Sequence, residues 1–97
     1  MIPAAKPMIG DSERAAVDAV LASGMIAQGP QVAGFENEFS VVVGGRHCVA
    51  VNSGTSALHM ALLAVGVKPG DEVIVPSFTF AATANAVRLA GAVPVFV

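Results

Sequence analysis

The sequence predicts an α/β fold in which parallel strands are joined by crossover helices and are preceded by two N-terminal helices. After residue 45, short Val-rich apolar runs alternate with segments of helical periodicity, which is the pattern of strand–helix–strand units. The connections are short, and crossovers of this kind join parallel strands. No formally charged residue lies between Arg46 and Lys68, as expected for elements that are covered on both sides.

Two helices are predicted ahead of the strands. The first runs from about Asp11 to Ser23, where Asp11 or Ser12 can cap it and a glycine follows its last turn. The second begins at Pro30, a residue that suits the first turn of a helix. Apolar residues then recur at three- and four-residue steps until a pair of glycines ends the helix.

Three strands with two crossover helices follow. The strands are predicted at residues 46–51, 72–76 and 93–97. The helix after the first strand extends to about Val65, and the next helix is the run AATANAVRLA at 81–90. Each helix is followed by a glycine, which favours the left-handed conformation that ends helices.

The composition suits the interior of a larger protein better than a free-standing small domain. Of the 97 residues, 55% are hydrophobic and only 12% are charged, whereas a small domain has to cover a large surface with polar groups. We therefore treat residues 1–97 as part of a domain.

Several classes of function have no support. The net charge of −2 and the lack of a basic cluster argue against nucleic-acid binding, and no metal-ligand spacing is present. The apolar runs are too interrupted for membrane spans, and the N-terminus does not look like a signal peptide. The single Cys48, predicted to be buried in a strand, has no disulfide partner, so a reducing, cytoplasmic location is expected.

The loop after the first strand can bind an anion. It reads Asn52-Ser53-Gly54-Thr55-Ser56 and leads directly into a helix, whose first N–H groups are unpaired and carry the positive end of the helix dipole. Gly54 allows a close approach to the backbone, and the hydroxyls add donors, so the loop could seat a phosphate. The same residues are also ordinary helix caps, and the two interpretations weigh about equally.

The loop after the second strand, PSFTFAAT, carries two aromatic rings. In parallel sheets, ligands bind beyond the carboxyl ends of the strands, so this loop should share an edge with Asn52–Ser56. One of the two rings should project over that edge. We predict that Phe78 fills the core, whereas Phe80 could either fill the core or face a flat ligand. An aromatic ring beside a phosphate seat indicates a phosphorylated aromatic ligand.

These motifs together resemble the N-terminal part of the DegT/DnrJ/StrS family of sugar aminotransferases. The matching runs are IPAAKPMIGDSE, SGMIAQGPQVAGFENEFS, VAVNSGTSALHMAL, KPGDEVIVPSFTFAATANAV and GAVPVFV. They cover essentially the whole chain, in order and at family spacing. SVVVGG departs from the family, which more often has a small residue and an aromatic before its glycine. Members are pyridoxal 5′-phosphate (PLP) enzymes of fold-type I.

The resemblance implies roles for particular residues. Ser53, Gly54, Thr55 and Ser56 would bind the cofactor phosphate, with the backbone amides of Thr55 and Ser56 as main donors, and Phe80 would stack on the pyridine ring. The run MIAQGPQ matches a family turn near the sugar nucleotide and the dimer interface, so Gln28 and Gly29 become candidate substrate contacts. In this fold type the first strand does not neighbour the second, so strand 46–51 should lie apart from the other two.

Other family residues have no match in this chain. The family's Schiff-base lysine and the aspartate that pairs with the ring nitrogen lie further along its sequence. Lys6, Lys68 and Asp71 match neither, and we interpret them as surface charges. No catalytic residue is therefore assigned, and residues 1–97 are expected to be a partial cofactor-binding large domain, truncated at its C-terminus.

The resemblance also implies what the parent protein does. It would transfer an amino group, typically from glutamate, to a nucleotide-linked keto-sugar for amino-sugar biosynthesis, as a cytoplasmic homodimer. Members without the lysine that act as dehydratases stay an open alternative, as does a non-catalytic fragment with at most weak phosphate binding. A Rossmann-type dinucleotide binder is disfavoured because NSGTSA lacks the glycine fingerprint.

Overall fold

The computed structural model describes residues 5–97, so residues 2–4 of the first family-like run lie outside the described residues. The elements, in chain order, are α1 (Asp11–Ser23), α2 (Pro30–Val42), α3 (Gly54–Ala64), β1 (Glu72–Val75), α4 (Ala82–Leu89) and β2 (Val93–Phe96). The chain divides into two compact units, of which the first ends at Ala50 and the second is Val51–Val97. Among the described residues, no helix combines the length and apolarity needed to cross a membrane.

Helix α1 has the predicted bounds but not the predicted cap. Gly10 is the N-cap, with extended backbone, and its N–H donates to Oε2 of Glu13 at 2.7 Å. The prediction of Asp11 or Ser12 as cap is wrong, because both residues already have helical backbone and only the residue before them is extended. At the other end, Gly24 adopts φ +72° and its N–H donates to the Leu21 carbonyl at 3.1 Å.

Helix α2 begins at Pro30, as predicted, with Gly29 as its N-cap. The rings of Phe35 and Phe39 lie on one side of it, with centroids 5.7 Å apart. Gly44 and the glycine after it both have positive φ, which turns the chain out of the helix.

The second unit contains a two-stranded parallel sheet. Strands β1 and β2 pair from Glu72 opposite Val93 to Val75 opposite Phe96, and α4 connects them. Helix α3 packs against α4. The core of the unit consists of Val75, Val87 and Ala92, which are at most 3% exposed.

The strand predicted at residues 46–51 is not formed. A strand exists only as part of a hydrogen-bonded ladder, and in the described residues the two ladder strands pair with each other and not with this segment. Val49 is 72% exposed, and Cys48, predicted to be buried, is only half-buried. The two strands that do form are parallel neighbours.

Two charged residues, Lys68 and Asp71, lie in the turn between α3 and β1. The Lys68 N–H donates to Oδ2 of Asp71 at 2.8 Å, and the Asp71 N–H donates to the Lys68 carbonyl at 3.1 Å. Asp71 therefore closes the turn in which Gly70 adopts φ +89°. Both charged residues are exposed, in agreement with their interpretation as surface charges.

Candidate functional site

The start of α3 is built from a local network of polar side chains. Ser53 has extended backbone and caps the helix, and its Oγ accepts the Ser56 N–H at 3.1 Å. The Ser53 hydroxyl donates to the Ser56 hydroxyl at 2.9 Å, which in turn donates to Oδ1 of Asn52 at 2.8 Å. The helix begins at Gly54. These hydrogen bonds fix the shape of the loop.

The network changes which amides can meet an anion. The Ser56 N–H, expected to be a main donor, is already bonded to Ser53. The Ala57 N–H is bonded to the Ser53 carbonyl at 3.0 Å. Within residues 5–97, the N–H groups of Gly54 and Thr55 have no acceptor. These two amides are therefore the available donors at the positive end of the helix.

The surroundings of this helix start fit a phosphate. No acidic residue lies in the first turn of α3, so no carboxylate there repels an anion or competes for the amides. A β-carbon placed on Gly54 would meet nothing within 4 Å, which leaves open space beside the backbone. Gly54 is exposed, while Thr55 and Ser56 are half-buried. The exposed backbone at Gly54 and the unpaired amides of this helix start are the features that suit an anion.

The loop between β1 and α4 leaves both aromatic rings outside the core. Phe78 is fully exposed and Phe80 is 81% exposed. The prediction that Phe78 fills the core is wrong, because Val75 is the last residue of β1 to enter it and Val87 and Ala92 close it. The Phe80 carbonyl accepts the Thr83 N–H at 3.1 Å, which ties the loop to the first turn of α4.

Short connections link α3, β1 and the loop that carries Phe80. The end of α3 is joined to the start of β1 by a short turn, and the end of β1 leads through Phe80 to the start of α4. Helices α3 and α4 pack together. The loop that follows β1 lies at the carboxyl end of that strand, where ligands of parallel sheets bind.

Gln28 and Gly29 belong to the other unit. Gln28 has φ +51°, the only positive φ at a non-glycine residue in the described chain. Gly29 precedes α2, and a β-carbon on it would lie 3.2 Å from the Met25 carbonyl oxygen. Both residues line a groove of about 260 Å³. A left-handed backbone at a glutamine stores strain of the kind found at binding sites.

Asn52 is a site residue that the sequence analysis did not assign. Its side chain holds the Ser56 hydroxyl, four residues later along the chain. The signal in the sequence is that Asn and Ser are favoured at helix starts, where their side chains form local hydrogen bonds. No cluster of potential metal ligands occurs among residues 5–97.

The model of the DegT/DnrJ/EryC1/StrS aminotransferase family matches residues 7–97. The chain belongs to this family. It is similar to Spr1654 from Streptococcus pneumoniae, named a sugar aminotransferase, with 38% identity and a TM-score of 0.88 over 99% of this chain and 24% of that one. Spr1654 has been solved in a PLP form and a PMP form.

Two further solved structures are also similar to this chain. A DegT/DnrJ/EryC1/StrS aminotransferase from Brucella abortus is 50% identical, with a TM-score of 0.76 over 87% of this chain and 22% of that one. The ntda protein of Bacillus subtilis, solved with bound cofactor PMP, is 41% identical, with a TM-score of 0.78 over 86% and 19%. The α/β fold of fold-type I aminotransferases is confirmed. The chain spans about a quarter or less of the length of these proteins.

Proposed function

We propose that this chain provides the cofactor-phosphate seat and the ring-stacking residue of a PLP-dependent sugar aminotransferase. The observation that carries the proposal is the pair of free amides of Gly54 and Thr55 beside open space at the start of α3. The proposal has independent support from the PLP and PMP forms of related proteins. Residues 1–97 would then be part of the cofactor-binding large domain.

Each residue of the seat has a distinct part. The amides of Gly54 and Thr55 donate to phosphate oxygens at the positive helix end. Ser53 and Ser56 keep the loop in shape and offer hydroxyls at its rim. Phe80 covers one face of the pyridine ring, for which its exposed position leaves it available. When bound, PLP supplies the electron sink that amino-group transfer requires.

The substrates of the whole protein are part of the same proposal. They are a nucleotide-linked keto-sugar and an amino-acid donor, glutamate, with Gln28 and Gly29 as contacts of the sugar nucleotide. A cytoplasmic homodimer is the proposed state of the whole protein. Lys6 and Lys68 do not match the family's Schiff-base lysine, so we expect no transamination from residues 1–97 alone.

The alternative is a non-catalytic chain in which Asn52–Ser56 only caps a helix. One observation favours it: Ser53 already satisfies the Ser56 N–H, as an ordinary cap does. The two proposals differ in what they predict for the space beside Gly54, since a cap makes no use of that space.

A substitution of Gly54 by Ala separates them. Gly54 needs no positive φ and a β-carbon meets nothing there, so the substitution leaves the fold intact and stabilises the helix by about 0.5–1 kcal/mol. The methyl group would occupy space that the phosphate needs, at a cost of about 1–3 kcal/mol. PLP affinity should fall at least about fivefold. Gly34→Ala is the matched control, because Gly34 is also a helical glycine with free space around it.

The measurement is a titration of the chain with PLP and with pyridoxal, followed by the NMR shifts of the Gly54 and Thr55 amides. PLP should shift both amides and pyridoxal, which lacks the phosphate, should shift them much less. Gly54→Ala should weaken PLP binding while Gly34→Ala leaves it unchanged. Equal PLP affinity of Gly54→Ala and the unsubstituted chain, or equal shifts with both ligands, would favour the helix cap.

A further inference from the structure

A carboxylate on α2 is hydrogen-bonded to the backbone just ahead of the proposed phosphate loop. Oε1 of Glu36 accepts the Ala50 N–H at 2.7 Å, across fourteen positions of the sequence, and both residues are half-buried. Every other side-chain hydrogen bond found in residues 5–97 joins residues at most four positions apart. The Glu36 contact is therefore tertiary, whereas the others form caps and turns.

The bond gives the Ala50 N–H an acceptor. Within residues 5–97, residues 46–51 form no strand with β1 or β2. A half-buried N–H without a partner is unfavourable. The carboxylate satisfies the Ala50 N–H, and a charged acceptor makes this bond stronger than one between neutral groups.

The position of Ala50 gives the bond a consequence for the loop. Ala50 precedes Asn52 by two residues and Ser53 by three. Fixing the Ala50 peptide limits the directions in which the chain can enter Asn52–Ser56. A binding site keeps its geometry only if the residues behind it are themselves held in place.

We propose that Glu36 is a positioning residue for the phosphate loop: its bond to Ala50 raises the affinity of Asn52–Ser56 for the phosphate of PLP. The inference rests on the proposed function of that loop. Its alternative is that Glu36 stabilises only the first unit and leaves the loop unaffected.

The test compares Glu36→Ala, Glu36→Gln and the control Glu38→Ala. Glu38 lies on the same helix, is exposed and is two residues away. Two quantities are measured on the whole chain: hydrogen exchange of the Ala50 amide, and the affinity for PLP from the shifts of the Gly54 and Thr55 amides. Glu36→Ala should raise Ala50 exchange about tenfold, as expected for a lost bond to a charged group. It should weaken PLP binding about fivefold, the lower end of a typical coupling between two places in one protein.

The Glu36→Gln variant distinguishes loss of the bond to Ala50 from a general loss of stability. Its amide oxygen can still accept the Ala50 N–H, so Glu36→Gln should restore much of both the protection and the affinity. Glu38→Ala should change neither. If Glu36→Ala unprotects Ala50 while PLP affinity stays the same, the inference is overturned.

Two further outcomes are informative. If Glu36→Ala unfolds the first unit, Glu36→Asp decides, since the shorter side chain keeps the charge but loses reach: weaker PLP binding by the folded variant supports the inference, and unchanged binding overturns it. If the unsubstituted chain itself does not bind PLP, the proposed function fails. In that case the exchange of the Ala50 amide in the same variants still reports whether Glu36 holds the backbone there.

Discussion

Gly91 lies so close to Pro69 that a β-carbon on Gly91 would be 3.0 Å from Cγ and 3.2 Å from the backbone Cα of the proline. The Gly70 N–H also donates to the Gly91 carbonyl at 3.1 Å. The residue that ends α4 is therefore packed against the turn that leads into β1, and with φ +79° it occupies the left-handed region as well. Two independent constraints require glycine at this position.

Gly91→Ala should consequently destabilise the chain more than the same change at Gly66. Gly66 follows α3 as Gly91 follows α4, has φ +88°, and has nothing within 4 Å of the position that a β-carbon would take. Gly66→Ala should cost about 1–2 kcal/mol for the backbone conformation alone. Gly91→Ala should cost about 1–3 kcal/mol more because the methyl group meets Pro69. Urea denaturation of both variants measures the difference, and equal losses would contradict the role assigned to the proline contact.

A second prediction concerns the acid range. The pKa of Glu13 lies below the ordinary value for a glutamate. The main cause is the hydrogen bond from the Gly10 N–H to the Glu13 carboxylate, and the Glu13 backbone N–H and the Ser12 hydroxyl add to it. Because the folded pKa is the lower one, the cap stabilises α1 fully above the unfolded pKa and is lost as the pH falls through the folded value. Amide exchange within α1 should therefore rise as the solution is acidified through that range.

Glu13→Gln provides the control for this pH effect. The amide oxygen can still accept the Gly10 N–H, but it does not titrate. The variant should retain α1 and lose this component of the acid dependence. Superimposable pH profiles of α1 exchange in the variant and the unsubstituted chain would show that the Glu13 carboxylate does not produce it.

A third prediction separates the two exposed rings of the β1–α4 loop. Phe80→Ala should weaken PLP binding by about 0.5–1.5 kcal/mol, the size of a stacking contact between aromatic rings, while Phe78→Ala should leave affinity unchanged. Both rings are exposed, so each variant should keep its stability within about 0.5 kcal/mol. Binding is followed by the same amide shifts at Gly54 and Thr55. A larger loss for Phe78→Ala would move the stacking role to that residue.

The helix bounds could be predicted from the sequence because they depend on residues close together in the chain. Helix α1 ends where Gly24 can adopt a left-handed conformation, and α2 starts where Pro30 loses no hydrogen bond. The polar loop ahead of α3 was also visible as a local pattern. Its internal bonds were not, and they leave the amides of Gly54 and Thr55 free, whereas those of Thr55 and Ser56 were predicted as the main donors.

The α/β class, the two N-terminal helices and the polar loop Asn52–Ser56 follow from residue types at short spacing, so they could be predicted without a structure. Other features depend on contacts between distant parts of the chain. Residues 46–51 have the composition of a strand, but a strand forms only when another backbone pairs with it. Phe78 is apolar, yet it stays outside because the core closes at Val75. The bond between Glu36 and Ala50 joins positions that only folding brings together.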